Sequence, residues 1–335
     1  MTQGNGWRAV DLPRMSGRIA LVTGASSGIG LAVAQQLARA GARTLLGCRD
    51  KARAQQAKEL ILGRCPAALV EVVQLDLASL ESVEDAAEEV ADLTGQLDLL
   101  VNNAGVMAVP PGHTEDGFEI QLGTNHLGHF ALTGRLLPLL LAAGDARVVT
   151  QTSLAHRAAG PAGSAGLDGP ADFTRLPHNS RWLGYNRSKL ANLLFALELD
   201  RRWKRYAAAL SADEDGQSRI RSFPVHPGVA RSQLMDGASL GRRRVVGPVG
   251  KAGFQALGQS AADAALPALY AASRPELAGG EFIGPRGFPQ LRGAPGICTP
   301  SRVARDPHLA ARLWTASIEA TGVGFEELQT RITTS

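Results

Sequence analysis

Tyr185-Asn186-Arg187-Ser188-Lys189 sets a phenol and an ammonium four residues apart. On a helix that spacing brings both side chains to one face. A free tyrosine has a pKa of about 10 and is a poor base at neutral pH. A neighbouring cation favours the phenolate, so Lys189 is expected to lower the Tyr185 pKa. The phenol could then give a proton to a carbonyl oxygen or take one from an alcohol. Tyr-x-x-x-Lys also arises by chance as a surface pair, so its meaning depends on its company.

That company is a glycine-rich turn. Thr23-Gly24-Ala25-Ser26-Ser27-Gly28-Ile29-Gly30 lies between a short apolar run and a helical pattern. Glycines there let the chain turn sharply and let backbone amides approach a pyrophosphate, which a helix N-terminus attracts. The spacing is Gly-x-x-x-Gly-x-Gly, not the Gly-x-Gly-x-x-Gly common in dinucleotide-binding folds. Gly24 to Gly28 also matches Gly-x-Ser-x-Gly, the nucleophile elbow of α/β-hydrolases, with Ser26 as nucleophile. That elbow follows several strands and an oxyanion loop, whereas only about twenty residues precede this turn. Ser153 follows a later apolar run, at the end of a parallel sheet where ligand crevices open, and its hydroxyl could bond the reacting oxygen. His156 is nearby but is read as structural.

Alternating strands and helices must position these groups. Strands are expected at Ile19 to Thr23, Thr44 to Cys48, Leu69 to Leu75, Leu97 to Val101, Arg147 to Thr152 and Ile220 to Val225. Ile29, Val33 and Leu37 recur at helical spacing and Gly41 is a stop signal. A polar helix follows the second strand. Ser79 opens another through Val83, Ala87 and Val90, closing near Gly95. Long helices are expected from about Phe118 to Leu141 and Leu183 to Tyr206, with a last one from about Pro307 to Ala320. Ala158 to Pro177 reads as a Gly/Pro/Ala loop, Ala207 to Ser218 as a polar loop, and Arg231 to Gly258 as a Gly- and Arg-rich segment without periodicity. The repeated βα units predict an α/β fold: one Rossmann-type, doubly wound parallel sheet with helices on both faces. A single domain is expected, with a core over about residues 17–284 and an extension over 285–335 wrapped on it.

Bulk properties narrow the class. The chain has 335 residues, 44% of them apolar, and a net charge of +4. Basic clusters at Arg201, Arg202, Lys204 and Arg205 and at Arg242 to Arg244 lack a nucleic-acid-binding motif and read as solvated faces. Three scattered cysteines fit neither a disulfide framework nor a zinc site, and suit a reducing cytoplasm. Met1 to Ser16 does not read as a signal peptide, and no apolar run approaches a membrane span. No nucleic-acid or membrane partner is expected.

Taken together, the Gly-rich turn, Asn102-Asn103-Ala104-Gly105, Ser153, Tyr185-x-x-x-Lys189 and Pro227-Gly228 resemble the short-chain dehydrogenase/reductases in order and spacing. The likeness runs from about Arg18 to Gly284 and points to the retinol dehydrogenase-like branch with an extended C-terminus. The resemblance implies hydride exchange with a nicotinamide cofactor. Tyr185 would be the acid/base, and Lys189 would hold the nicotinamide ribose and tune the tyrosine. Ser153 would orient the substrate oxygen, and Asn125 would support a water chain to Lys189. It further implies that Gly24, Ser26, Ser27, Gly28, Ile29 and Gly30 cradle the pyrophosphate. Asp76 and Leu77 would contact adenine, Asn103, Ala104 and Gly105 would line the adenosine side, and Pro227, Gly228, Val229 and Ser232 would meet the carboxamide. Nearby members often carry an N-terminal membrane anchor, which is not legible here, and the basic 231–258 segment departs from a retinoid lid.

Where NAD-selective sites place an acid after the second strand, this sequence has Cys48 and then Arg49, which suits a 2′-phosphate. NADP(H) is therefore expected, although Asp50 follows directly. The expected function is reduction of a small-molecule ketone or aldehyde. The composition suggests a bacterial source, and by analogy a polyketide ketoreductase. Oxidation of an alcohol uses the same residues and stays open, as does a non-catalytic NADP sensor. A homodimer through the two long helices and a monomer with those faces covered by the tail are both open.

Overall fold

The computed structural model describes residues 6–174, 181–209, 219–229 and 258–329. Segments of four to seven residues become strands of one eight-stranded sheet. In chain order the first half gives β1 (Ile19–Thr23), α1 (Gly28–Arg39), β2 (Arg43–Cys48), α2 (Lys51–Arg64), β3 (Val70–Gln74), α3 (Leu80–Leu93) and β4 (Leu99–Asn102). Neighbouring residues on a strand point to opposite faces. Val22, Leu46 and Val101 accordingly pack with Val33, Leu37 and Ile61 on one side. Leu21, Leu45 and Leu100 pack with Val83 and Val90 on the other. Both faces are covered, as a parallel sheet requires.

The expected helix from Phe118 to Leu141 is broken into pieces. It comprises α4 (Ile120–Leu122), a π-helical turn over Gly123–Leu127, α5 (Gly128–Arg135) and α6 (Leu137–Ala142). The π-turn stretches the ladder, with Gly128 N–H bonding Gly123 C=O. The break at Leu136 precedes Pro138, which cannot donate to a continuing ladder. After β5 (Asp145–Gln151), the expected loop at Ala158 to Pro177 contains two short helices, α7 (Gly160–Ala165) and α8 (Pro170–Phe173). Each has proline in its first turn, where the missing N–H costs nothing. The helix α9 (Arg181–Ala209) and β6 (Arg219–Val225) follow. Ala207 to Ala209 thus extend α9, while the rest of the expected polar loop lies outside the described residues.

Four further elements were not expected, a short last helix among them. They are α10 (Ala261–Ser273), β7 (Phe282–Pro285) and β8 (Pro295–Cys298), which precede the expected α11 (Pro307–Thr321), and α12 (Glu326–Gln329), which follows it. Strand order is β3-β2-β1-β4-β5-β6-β7-β8. Pairing is parallel up to β7, but β8 runs antiparallel to β7, so the sheet is mostly rather than wholly parallel. The order reverses between β1 and β4, which opens a crevice beyond Thr23 and Asn102.

The C-terminal helices pack against α9 and the π-turn region. Trp314 of α11 meets Phe130, Phe195 and Phe325, with ring centroids 5.2, 5.9 and 4.5 Å away. The basic end of α9 is ion-paired. Glu198 receives Arg201, Arg202 and Arg205, and Asp200 receives Lys204. Arg202 also lies 4.5 Å from the Trp314 ring centroid. Arg242 to Arg244 fall outside the described residues. The three cysteines are free. Among the described residues no group of side chains could hold a metal, and no helix is long and apolar enough to cross a membrane.

Candidate active site

The crevice at the strand-order reversal is walled at one end by the turn after β1. Ser27 begins α1 without capping it by its side chain. By contrast Asp50, Ser79, Ser260 and Asp306 cap α2, α3, α10 and α11. The first amides of α1 are thus left for a ligand, and Gly28, Ile29 and Gly30 line the cleft with Gly24, Ser26 and Ser27. Gly24 takes φ +66°, and a Cβ there would crowd Ala104. A Cβ on Gly30 would overlap the Gly24 carbonyl and the Asn103 side chain. The turn is therefore pressed onto the loop after β4.

Asn103, Ala104 and Gly105 form the next part of the wall. Thr23 Oγ1 accepts the N–H groups of Asn103 and Ala104, each at 2.9 Å. Past the ends of β2 and β3 stand Arg49, Asp76 and Leu77. Arg49 Nε is 3.8 Å from Asp76 Oδ2, and its side chain is 74% exposed, so this is a weak surface pair. Asp50 Oδ1 accepts the N–H of Arg53 at 3.0 Å, which commits it to the helix cap.

At the other end Ser153, Tyr185 and Lys189 converge on the same cleft. Ser153 hydrogen-bonds the phenol and caps the short helical turn Leu154–Ala158. Lys189 Nζ donates to Gln151 C=O at 3.2 Å. Burial lowers the Lys189 pKa to about 8. Tyr185 departs from expectation, because burial pushes its pKa up and the Ser153 hydrogen bond offsets this only in part. The low-dielectric surroundings disfavour the phenolate more than the nearby ammonium favours it in the protein alone.

Asn125 stands behind this wall. Its Oδ1 accepts Val106 N–H at 2.7 Å, and its Nδ2 donates to Val106 C=O and Ser188 Oγ at 2.9 Å. A Cβ on Gly105 would lie 2.8 Å from Asn125 Oδ1 and 3.5 Å from Lys189 Nζ, so the two groups meet around that glycine. Pro227, Gly228 and Val229 close the corner, pinned by Val229 N–H to Leu291 C=O at 2.9 Å. Ser232 lies outside the described residues. His156 donates from Nδ1 to Ser153 C=O at 2.7 Å and accepts Ser301 N–H at Nε2, a structural arrangement.

Residues 18–165 match the short chain dehydrogenase family. Human retinol dehydrogenase 13 is 36% identical over 92% of this chain and 85% of its own. The chain belongs to the short-chain dehydrogenases. Mouse polyprenol dehydrogenase is 38% identical over 95% of this chain and 88% of its own. A crystal structure of an uncharacterised protein from Mycobacterium paratuberculosis covers 96% of this chain and 99% of its own, at 38% identity and TM-score 0.71. This short-chain dehydrogenase is an oxidoreductase acting on alcohol and carbonyl groups with a nicotinamide cofactor.

The cleft suits such a dinucleotide. Besides the open amides of α1, Thr124 Oγ1 and Gln151 Nε2 are buried on its lining without a protein partner. Sequence reasoning missed several lining residues. Arg53 stands four after Arg49, in the first turn of α2, a spacing that could have flagged it. Trp182 precedes Tyr185 by three on one helix and meets it edge-on at 6.2 Å. Leu291 arrives from the β7–β8 hairpin, which nothing local to the cleft announces.

Proposed function

We propose that this enzyme reduces a lipophilic ketone or aldehyde with NADPH, using Tyr185 as the proton donor. The observation that carries the reading is Tyr185, Lys189 and Ser153 on the same cleft as the uncapped start of α1. A bound nicotinamide would supply the hydride. The phenol, kept neutral by burial, is loaded with the proton a developing alkoxide takes up. Ser153 orients the carbonyl oxygen through the hydroxyl that also meets the phenol. Lys189 holds the ribose and stands close enough to stabilise the phenolate that proton donation leaves. Asn125 keeps the Gly105–Val106 wall in place beside Lys189, where a water chain would restore the proton.

Two cations favour NADPH over NADH. Arg49 and Arg53 both line the adenosine end, and guanidinium groups match a phosphate dianion in charge and shape. Asp50 shares this lining but has Oδ1 engaged at the helix cap, between two arginines that offset its charge. Val106, Met107, Leu154, Trp182 and Leu291 give the Tyr185 end an apolar lining, which suits a lipophilic substrate, an aromatic polyketide ketone among them.

The oxidative direction is the second reading, favoured by relatives named for the dehydrogenation of retinol and polyprenol. A panel of lipophilic ketones, aldehydes and alcohols, followed by nicotinamide absorbance with NADPH/NADP and NADH/NAD in parallel, tests both. Carbonyl-dependent NADPH consumption is expected. Equal or better use of NADH overturns the cofactor assignment, and turnover of alcohols only overturns the direction.

A further inference from the structure

His129 is fully buried on α5 and uses both ring nitrogens. Nδ1 lies 2.9 Å from Asn125 C=O, and Nε2 lies 2.9 Å from Thr23 Oγ1. A carbonyl can only accept, so Nδ1 carries the proton. Burial holds the ring neutral, with its pKa lowered to about 4. Nε2 therefore offers a lone pair, and the Thr23 hydroxyl must donate to it. The 3.3 Å contact of Thr23 Oγ1 with Val101 C=O is the weaker claim on the same hydrogen. The polarity of the chain is thus fixed: Asn103 and Ala104 N–H to Thr23, Thr23 to His129, His129 to Asn125.

We propose that His129 is a positioning residue that sets Asn125, and through it the Gly105–Lys189 side of the site, in register with the cofactor cradle at Thr23, Asn103 and Ala104. The proposal rests on the oxidoreductase reading of the site. A space-filling role alone would not need a rigid ring with a donor at one end and an acceptor at the other, both used. An apolar replacement would leave the Thr23 hydroxyl and the Asn125 carbonyl without this partner. The neighbouring His126 provides an internal contrast. It is equally buried on the same helical stretch, but its Nε2 turns to Ser317 of α11 at 3.0 Å, away from the cradle.

The test uses the whole enzyme, with wild-type turnover and loss of turnover in Tyr185→Phe established first. His129→Gln keeps a donor and an acceptor at the end of a long side chain. His129→Asn is polar but too short to bridge both partners, and His129→Leu bridges neither. In folded protein saturated with NADPH, kcat should fall on the order of a hundredfold in the Leu and Asn variants, the scale of a misplaced reacting group. His129→Gln should recover most of it. Ser317→Ala, which cuts a buried contact on the α11 side, should lower Tm while leaving kcat unchanged. Wild-type kcat in both His129→Asn and His129→Leu would overturn the proposal, as would an equal kcat loss in Ser317→Ala. If His129→Leu does not fold, the Gln and Asn pair decides alone. A wild-type protein that consumes neither NADPH nor NADH would instead sink the reading of the site itself.

Discussion

Lys189 Nζ lies over the Tyr185 ring, 5.8 Å from its centroid, and both side chains are buried in the same compartment. The ammonium therefore acts on the phenol through a low dielectric, where its effect is felt most once a phenolate forms. Tyr185→Phe removes only the ionisable oxygen. We expect kcat to fall by about 10² to 10⁴ with NADPH affinity nearly unchanged, read by absorbance turnover and by nicotinamide fluorescence. Unimpaired turnover would remove Tyr185 from the chemistry.

On the proposed NADPH reading, Arg49 and Arg53 at the cleft lining would supply the cofactor discrimination. Truncating either to alanine should raise the NADPH dissociation constant by about tenfold, the loss of roughly one charge-assisted contact. NADH binding should barely change. Binding titrations of both cofactors at fixed ionic strength separate the two effects.

Acid should destabilise this protein through its buried histidines. His126, His129 and His226 have pKa values of about 3, 4 and 3, lowered chiefly by burial, against about 6.5 in an unfolded chain. Between those limits the unfolded chain binds more protons, so stability rises with pH there. It is complete above about pH 6.5 and drains as pH falls, at about 1.4 kcal/mol per pH unit for each histidine. His156, also lowered by burial, adds to the same trend, so urea midpoints from pH 7 to pH 4.5 should report an uptake of about three protons or more on unfolding, and His226→Gln should reduce it by one.

Trp314 is 2% exposed and sits among three phenylalanines and Arg202. Its replacement by alanine empties the joint between α11, α9 and the helix carrying Phe130. A loss of about 3–5 kcal/mol is expected by denaturant unfolding. The faces of α5 and α9 that α11 covers would be exposed, so sedimentation of this variant should also show any tendency of those faces to self-associate.

The first six strands could be read from the chain because each carries apolar residues between polar breaks, and α1 and α3 because Gly41 and Ser79 give stop and start signals. The meeting of Tyr185, Lys189 and Ser153 on one cleft was equally visible, since Tyr185 and Lys189 share one helix and Ser153 follows a strand end. What was hidden has physical causes. Helix α10 opens with Ser260 and Asp263, a legible cap, but Pro267 within it disguises the period. Strand β7 touches β6 through a single aligned pair, Val225 with Ile283, and is too short to announce itself. The Tyr185 pKa was misjudged because one pairwise charge was weighed without the burial that a helix packed over a sheet imposes. His129 escaped notice because its partners, at Thr23 and Asn125, are joined only by the fold.

The backbone amide of Gln259 bonds the carbonyl of Val229 at 2.8 Å, while its side chain reaches Pro227 C=O. The corner of the cleft at Pro227–Val229 is thus stitched to Gln259 at two points. Gln259 thereby clamps the main chain at Pro227 and at Val229, on both sides of Gly228. A truncated side chain at 259 would therefore loosen the Pro227–Val229 corner from one side only, since Leu291 still holds Val229 N–H.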